Sequence, residues 1–378
     1  MDKITGLRRK IDKADEQIIS LLKERLDIAV KINDLKQKHG QQALDAKRWS
    51  EVITSRLELA QELDLDQELV KDVFNRIHRQ VLAEARAESE DRGQRASGPS
   101  LFYLGPAGSY SELAARQLAG EFELRSCDNF AKIYQQLKAR PGSHALVPVE
   151  NSITSDVHEN VDAIFSGDFQ IVGETYQPIE LQLLGLPGAK LSDVKTIYSQ
   201  PQALAQCQKL IKRLKATVAE AESTSTAAMI VVSGGDKRAA AIGSSGLAKA
   251  SSLSVLAKNI GDEELNQTRF LLIKYSPKAS SKPSTPSLGS KLTVLAEIPH
   301  RVGSLHNLLG AIAGARGNLT KIESRPIPGT AWRCRFWLDI DLAGANIESV
   351  WQALRSHCTS NTLLGVYNQL TKEKSHEK

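Results

Sequence analysis

The sequence predicts a multidomain protein in three parts: an all-helical block, a large α/β block and a smaller α+β block of ferredoxin-like order. Three observations predict it. The chain has 378 residues, more than one hydrophobic core usually serves. Two polar stretches, 86–100 and 277–290, interrupt the apolar patterning and read as linkers. The apolar period also changes across them, from a three-four helical repeat to short β runs alternating with helical stretches, and then to a β-α-β-β-α-β succession. The blocks so drawn are 1–85, 101–276 and 291–370, with 371–378 as a tail.

In the first block Ile4, Leu7, Ile11, Ala14, Ile18, Leu21, Ile28, Ile32 and Leu35 fall on alternating three- and four-residue steps, the seam of one helix from about residue 3 to 38. At ~1.5 Å per residue that helix is about 50 Å long, too long for a block of this size to cover, so a homodimer or higher homo-oligomer is expected. Arg25 occupies a seam position where the repeat calls for an apolar residue, and Lys36, eleven residues on, lies within roughly 20° of it on the same face. Two readings follow. Arg25 forms a buried ion pair that fixes helix register, or Arg25 and Lys36, with Arg8, Asp45 and Arg48, line a pocket for a compact dianion.

The second block alternates β runs (Leu101–Leu104, Ala145–Val149, Ala239–Ile242) with helical patterns (Ser111–Ala119, Ala203–Leu214), which predicts parallel sheets with crossover helices. Five polar clusters stand at its strand ends: Gly105 to Ser111, Pro148 to Ser152, Tyr198 to Gln202, Glu222 to Thr226, and Asn266-Gln267-Thr268-Arg269-Phe270. Each alone reads as an ordinary helix cap or turn. Five together suggest convergence on one cleft lined by hydroxyls and amides.

The third block reads Lys291–Ile298, Ser304–Ala315, Leu319–Ser324, Arg333–Asp341, Ile347–Ser356 and Leu363–Gln369 as β-α-β-β-α-β, the ferredoxin-like order. A net charge of +5, with basic and acidic residues interleaved, argues against a nucleic-acid partner. Cys127, Cys207, Cys334 and Cys358 lie too far apart for the short zinc or redox spacings, so no metal is expected and a reducing cytoplasm is the default location. No stretch reaches ~18 apolar residues, so no membrane partner is expected.

Leu7-Arg8, the Asp15-Glu16 run into Leu21-Leu22, Glu24-Arg25, Lys36 and Asp45 through Arg48 resemble the intertwined all-helical chorismate mutases. The resemblance implies catalytic roles for Arg25 and Lys36, chorismate contacts from Arg8, Asp45 and Arg48, and no cofactor. Trp49, Val81 and Ala85 depart from it: the family has Glu, Ser, and Gln or Glu there. A helical dimerisation domain with a decayed pocket is therefore the other reading.

The five clusters of the second block, above all Glu222-Ser223-Thr224-Ser225 with Thr268-Arg269-Phe270, resemble prephenate dehydratase across residues 101–276. That resemblance implies two α/β lobes of the type 2 periplasmic-binding-protein kind, 101–176 with 256–276 and 177–255, around a cleft. Thr268 matches the essential threonine, which assists departure of the substrate hydroxyl. Arg269 is expected to pair with a substrate carboxylate and Phe270 to pack beside the ring. Ser109, Ser111, Asn151, Ser152, Gln202, Ser223 and Thr224 are expected to orient prephenate. Glu150 and Glu222 are proton sources or structural groups.

Gly303-Ser304-Leu305 and Glu323-Ser324-Arg325-Pro326 resemble the regulatory ACT domain of such enzymes and imply phenylalanine as effector. The combined expectation is a mutase–dehydratase fusion under phenylalanine feedback. A dehydratase alone, an enzyme acting on arogenate, and a nonenzymatic aromatic-ligand sensor are its rivals.

Overall fold

The computed structural model of the protein describes residues 2–38, 46–70, 73–74, 76–77, 81, 99–118, 120, 122–153, 155–156, 158–277, 290–327, 329–330 and 333–370. The chain forms two compact units: Met1–Ser97 with Met229–Asp236, and Gly98–Ala228 with Lys237–Lys378. Among the described residues no helix is long and apolar enough to cross a membrane.

The first unit is built on α1 (Asp2–Lys38), the single long helix that the three-four repeat predicts, followed by α2 (Ala46–Glu62). The seam of α1 is open: Leu7, Ile11, Ile18, Leu21, Ile28, Ile32 and Leu35 are each 49% to 64% exposed.

The second unit holds three sheets. The first has the order β2-β1-β3-β11-β5, with β4 beside β3, drawn from β1 (Ser100–Leu104), β2 (Glu123–Cys127), β3 (His144–Asn151), β4 (Ser155–Asp156), β5 (Phe169–Pro178) and β11 (Gln267–Tyr275). Helices α3 (Tyr110–Arg116), α4 (Phe130–Ala139) and α5 (His158–Phe165) follow its strands. The second sheet has the order β10-β6-β9-β7-β8, from β6 (Gln182–Gly185), β7 (Thr196–Ser199), β8 (Thr217–Glu220), β9 (Ala239–Gly243) and β10 (Ser254–Ala257). The helices of this stretch of chain are α6 (Pro201–Ala205), α7 (Gln208–Leu214), α8 (Thr224–Gly234), whose residues from Met229 on are counted with the first unit, and α9 (Ser245–Ala250).

Neither sheet is purely parallel, which corrects the expectation. β1 runs parallel to β2 and β3, and β7 to β8 and β9. But β11 is antiparallel to both β3 and β5, and β6 is antiparallel to β9 and β10. The chain crosses between lobes twice, after β5 and after β10. β11 returns at the edge where β3 ends, so it must run the opposite way. This crossing puts Thr268 opposite Asn151, the last residue of β3.

The third sheet, β13-β14-β12-β15, comprises β12 (Lys291–Glu297), β13 (Asn318–Pro326), β14 (Cys334–Asp341) and β15 (Ser360–Tyr367), all antiparallel, with α10 (Ser304–Gly314) and α11 (Ile347–His357). The β-α-β-β-α-β order matches the expectation. One face packs under the helices through Val294, Leu338, Leu308, Ile312, Trp351 and Leu354. The alternate residues Leu295, Trp337, Leu364 and Tyr367 join the core of the first lobe with Leu271, Ile273 and Phe165. The Phe165 and Trp337 rings lie 5.7 Å apart. Strands β12 and β14 are therefore buried on both faces, while β13 stays partly exposed along its length. At Gly365 a Cβ would collide with the Ile171 carbonyl, so only glycine lets β15 approach β5 this closely.

Candidate active sites

Parallel neighbours end at the same edge of a sheet, so β1 and β3 deliver Gly105–Ser109 and Asn151 together, while β7, β8 and β9 deliver Gln200–Gln202, Glu222–Thr224 and Ser244 together. Such carboxyl edges are where open α/β sheets bind ligands. At the first edge, Asn151 Nδ2 donates to Thr268 Oγ1 at 3.1 Å and to Asn266 Oδ1 at 2.9 Å. The Asn151 side-chain carbonyl accepts from Ile153 N at 3.0 Å, which fixes the amide orientation. Ser152 Oγ accepts from Gln267 N at 3.0 Å and donates to Leu265 O at 3.1 Å.

Among the described residues, several hydrogen bonds join the lobes. Asn266 Nδ2 donates to Gln206 Oε1 at 3.3 Å, one turn beyond Gln202. Tyr110 Oη donates to Glu180 O at 2.7 Å. Ser244 Oγ donates to Gly108 O at 2.5 Å while capping α9 by accepting from Leu247 N at 2.9 Å. Gly108, at φ +84°, lies so close to that helix start that a Cβ would sit 2.6 Å from Leu247 N. Gln206 and Ser244 stand outside the five sequence clusters. Asn266 was legible only as a member of its cluster, and Gln206 only as the residue one turn after Gln202.

The other expected residues take definite places. Ser109 is the N-cap of α3, accepting from Glu112 N at 3.2 Å, and Ser111 is buried behind it. Ser223 accepts from Thr226 N at 3.0 Å at the start of α8, beside Thr224; Gln202 and Glu222 are exposed. Glu150 faces Arg269 and Lys321, each at 3.4 Å.

Two expectations are corrected. Arg269 does not stand open to a substrate carboxylate. It is 5% exposed, and its Nε donates to Glu174 at 2.8 Å, its Nη1 to Asp339 at 2.6 Å and its Nη2 to Tyr367 Oη at 3.2 Å. Burial by itself lowers the Arg269 pKa, but Asp339, Tyr367 and Glu174 outweigh it and raise it. Phe270 lies in the core with Leu101, Tyr103, Ala114 and Leu146, away from any ring a ligand would bring. In the alternation of β11, Arg269 faces opposite to Thr268, and Phe270 is drawn in beneath α3.

In the helical unit Arg25 is half-buried, with its guanidinium 5.5 Å from the Phe74 ring centroid; that of Arg56 lies 6.0 Å from the same ring. Burial and then repulsion from Arg56 lower the Arg25 pKa. Two cations sharing one ring form a site that an anion would relieve. Arg56 was missed in the sequence because it lies on a different helix from the seam. Arg8 is exposed on α1 and Val81 is buried. The side chains of Lys36, Arg48 and Trp49, and residues Asp45 and Ala85, lie outside the described part.

In the third sheet's domain, Gly303, Ser304 and Leu305 line a hollow of about 450 Å³ with Ile298, Arg333 and Phe336. Gly303, at φ +81°, starts α10. Glu323, Ser324, Arg325 and Pro326 are not part of that lining. Arg325 instead pairs with Glu323 at 2.6 Å and with Asp162 of α5 at 3.4 Å.

Comparison with known proteins identifies the helical and the two-lobed α/β parts. The prephenate dehydratase family matches residues 101–278, and chorismate mutase type II matches residues 7–86. Over 373 residues the chain is 30% identical to the bifunctional chorismate mutase/prephenate dehydratase of Escherichia coli strain K12, covering 96% of each protein. The bifunctional enzyme of Aquifex aeolicus strain VF5 is 30% identical over 370 residues, covering 97% of this chain and 98% of the relative. A solved prephenate dehydratase from Arthrobacter aurescens, in complex with L-Phe, is 29% identical with a TM-score of 0.62, covering 72% of this chain and 91% of that one. Both domain families match in the same order as in relatives aligned almost end to end, and the chain belongs to the bifunctional chorismate mutase/prephenate dehydratase family.

Proposed function

We infer that the helical unit rearranges chorismate to prephenate and that the two-lobed α/β unit converts prephenate to phenylpyruvate, CO2 and water. The observation that carries the second step is the hydrogen bond from Asn151 to Thr268. The amide nitrogen can only donate, so the threonine oxygen accepts and its own proton remains to be given. Directed at the ring hydroxyl of prephenate, that proton stabilises the departing oxygen. The electron pair of the breaking carbon–carboxylate bond enters the ring, the ring C–O bond breaks with its pair leaving on oxygen, and that oxygen takes one proton through Thr268, which solvent replaces, to leave as water while the ring aromatises. Ser109, Ser111, Ser152, Gln202, Glu222, Ser223 and Thr224 bind and orient the substrate from the two carboxyl edges. Prephenate, not arogenate, is the substrate of this reading.

Chorismate binding is assigned to Arg25 and Lys36, with Arg8, Asp45 and Arg48; the Arg25–Arg56 pair over Phe74 supports an anion there. Clamping a folded conformer beside fixed cations is catalysis by orientation and electrostatics. The third sheet and its helices act as a regulatory ACT domain. The L-Phe complex of the Arthrobacter relative supports phenylalanine as effector, and the hollow at Gly303-Ser304-Leu305 is the place assigned to it. Glu323, Ser324, Arg325 and Pro326 then act at the edge of that site. The open seam of α1 supports assembly by a second copy. Four free cysteines fit the cytoplasm, with burial pushing the Cys207 thiol up to about 12 and the Cys358 thiol to about 11.

One assay tests this reading. Wild-type protein fed chorismate yields phenylpyruvate, and added L-phenylalanine lowers that yield. Thr268→Ala yields prephenate alone, its dehydratase turnover lower by about a hundredfold or more. Phenylpyruvate formed by that variant at the wild-type rate would remove Thr268 from the reaction.

A further inference from the structure

We propose that Arg269 is a positioning residue for the dehydratase reaction: held by Asp339 from the C-terminal sheet and by Glu174 from β5, it fixes the strand end that carries Thr268. The proposal rests on the dehydratase activity and not on the effector reading.

The backbone ladder holds this strand end evenly on one side only: β11 pairs with β5 in unbroken register from Leu272 to Gln267. β11 pairs with β3 in steady register from Lys274 back to Phe270, which faces Pro148; the next pair is Arg269 with Glu150, so Val149 is an extra residue on β3. Thr268 and Arg269 lie beyond that bulge, so the ladder is locally disrupted on the β3 side, the side of Asn151. The Arg269 side chain adds a second, side-chain anchor at this bulged stretch. Three of its nitrogens are engaged by Glu174, Asp339 and Tyr367, a fork that leaves little rotational freedom.

The anchors are themselves fixed. Asp339 is fully buried, and its Oδ1 accepts from Thr293 Oγ1 at 2.6 Å and from Trp337 Nε1 at 2.7 Å. Tyr367 Oη contacts Thr293 Oγ1 at 2.7 Å. Glu174 takes Lys291 Nζ on its other oxygen at 2.6 Å, and the backbone of Leu370 donates to Glu174 O at 2.7 Å. Three of the four C-terminal strands thus contribute a side chain to the grip on one arginine: β12 through Thr293 and Lys291, β14 through Asp339, and β15 through Tyr367.

A buried ionic cluster stabilises a fold no better, as a rule, than apolar side chains of the same volume, so stability alone is a weak account of it. Its distinctive property is geometric. Thr268 has to meet a departing hydroxyl within a few tenths of an ångström, and a misplacement of about 1 Å costs on the order of a hundredfold in rate. The C-terminal domain therefore completes the dehydratase site without touching substrate.

The test uses the full chain and prephenate as substrate. Asp339→Asn keeps the shape and removes the charge: kcat falls about tenfold or more, KM changes by less than about threefold, and chorismate turnover is unchanged. The paired variant Arg269→Gln with Asp339→Asn leaves the net charge of the cluster as it was. It recovers melting temperature towards wild type, while kcat for prephenate stays low. Wild-type kcat in Asp339→Asn overturns the proposal, and so does a paired variant whose turnover recovers along with its melting temperature, since that marks a purely structural cluster. If Asp339→Asn does not fold, Tyr367→Phe is read by the same kcat and KM split, and an unchanged kcat there also overturns it. Absence of prephenate turnover in the wild-type chain would instead remove the dehydratase reading itself.

Discussion

His144 opens β3 with its ring edge-on to Phe122, centroids 5.0 Å apart, and its Nδ1 is buried with no hydrogen-bond partner. Burial and the nearby Lys274 lower its pKa from 6.5, against a smaller opposing effect of the Gly142 backbone. Because the folded value lies below the unfolded one, the unfolded chain binds the extra proton first as pH falls. The contribution of a neutral His144 is complete above about 6.5 and is lost as pH drops from there through the depressed folded value. Thermal melts across that range should show stability falling with acid, and His144→Phe, which keeps the aromatic contact, should flatten the fall. A slope identical in variant and wild type would assign the acid sensitivity to other groups. The same burial logic separates Thr268 from its neighbour Arg269: an alternating strand turns one towards the amide of Asn151 and the other into a nest of carboxylates.

Among the elements, α1 makes the sharpest demand. Seven apolar seam residues, each about half exposed or more, run the length of a helix of 37 residues. Covering even a few of them contributes several kcal/mol at ~25 cal/mol per Å², which is the ground for the proposed contact with the seam of a second copy. Ile18→Asp with Leu21→Asp puts two carboxylates into that contact. Light scattering should then show a lower mass, with chorismate turnover lost and prephenate turnover kept; an unchanged mass would place the interface elsewhere. The helix itself was legible in the sequence because a three-four repeat over nine positions has no β counterpart. The order of the C-terminal elements was legible from the alternation of short apolar β runs with two helical stretches. What periodicity does not encode is the partner of a face. The run Leu292-Thr293-Val294-Leu295-Ala296 is apolar nearly throughout, the signature of a strand covered on both sides, and it marks the packing of the C-terminal sheet on the first lobe. The antiparallel entry of β11 follows from the chain crossing between lobes, which no local pattern announces. For the candidate site, Asn151, Ser152 and Thr268 came together as their clusters suggested, whereas Arg269 and Phe270 share the motif and leave the cluster.

At the scale of the whole molecule, the residues assigned to the two reactions belong to different compact units and share no member. Arg25 lies in Met1–Ser97, while Asn151 and Thr268 lie in Gly98–Ala228 and Lys237–Lys378. Prephenate carries two carboxylates and is stable in water as a free dianion, so solvent can carry it from one site to the other. Each activity should then fail alone. Arg25→Ala should convert prephenate at the wild-type rate and leave chorismate untouched, and Thr268→Ala should do the reverse. Mixed in equal amounts, the two variants should regain phenylpyruvate formation from chorismate after a lag in which prephenate accumulates, and the lag should shorten as the Arg25→Ala protein is raised. An intact chain that passed its intermediate directly would show no lag and would resist added prephenate-consuming enzyme, whereas the mixture would not. Phenylpyruvate never appearing in the mixture would show that the two reactions need both intact sites in one chain.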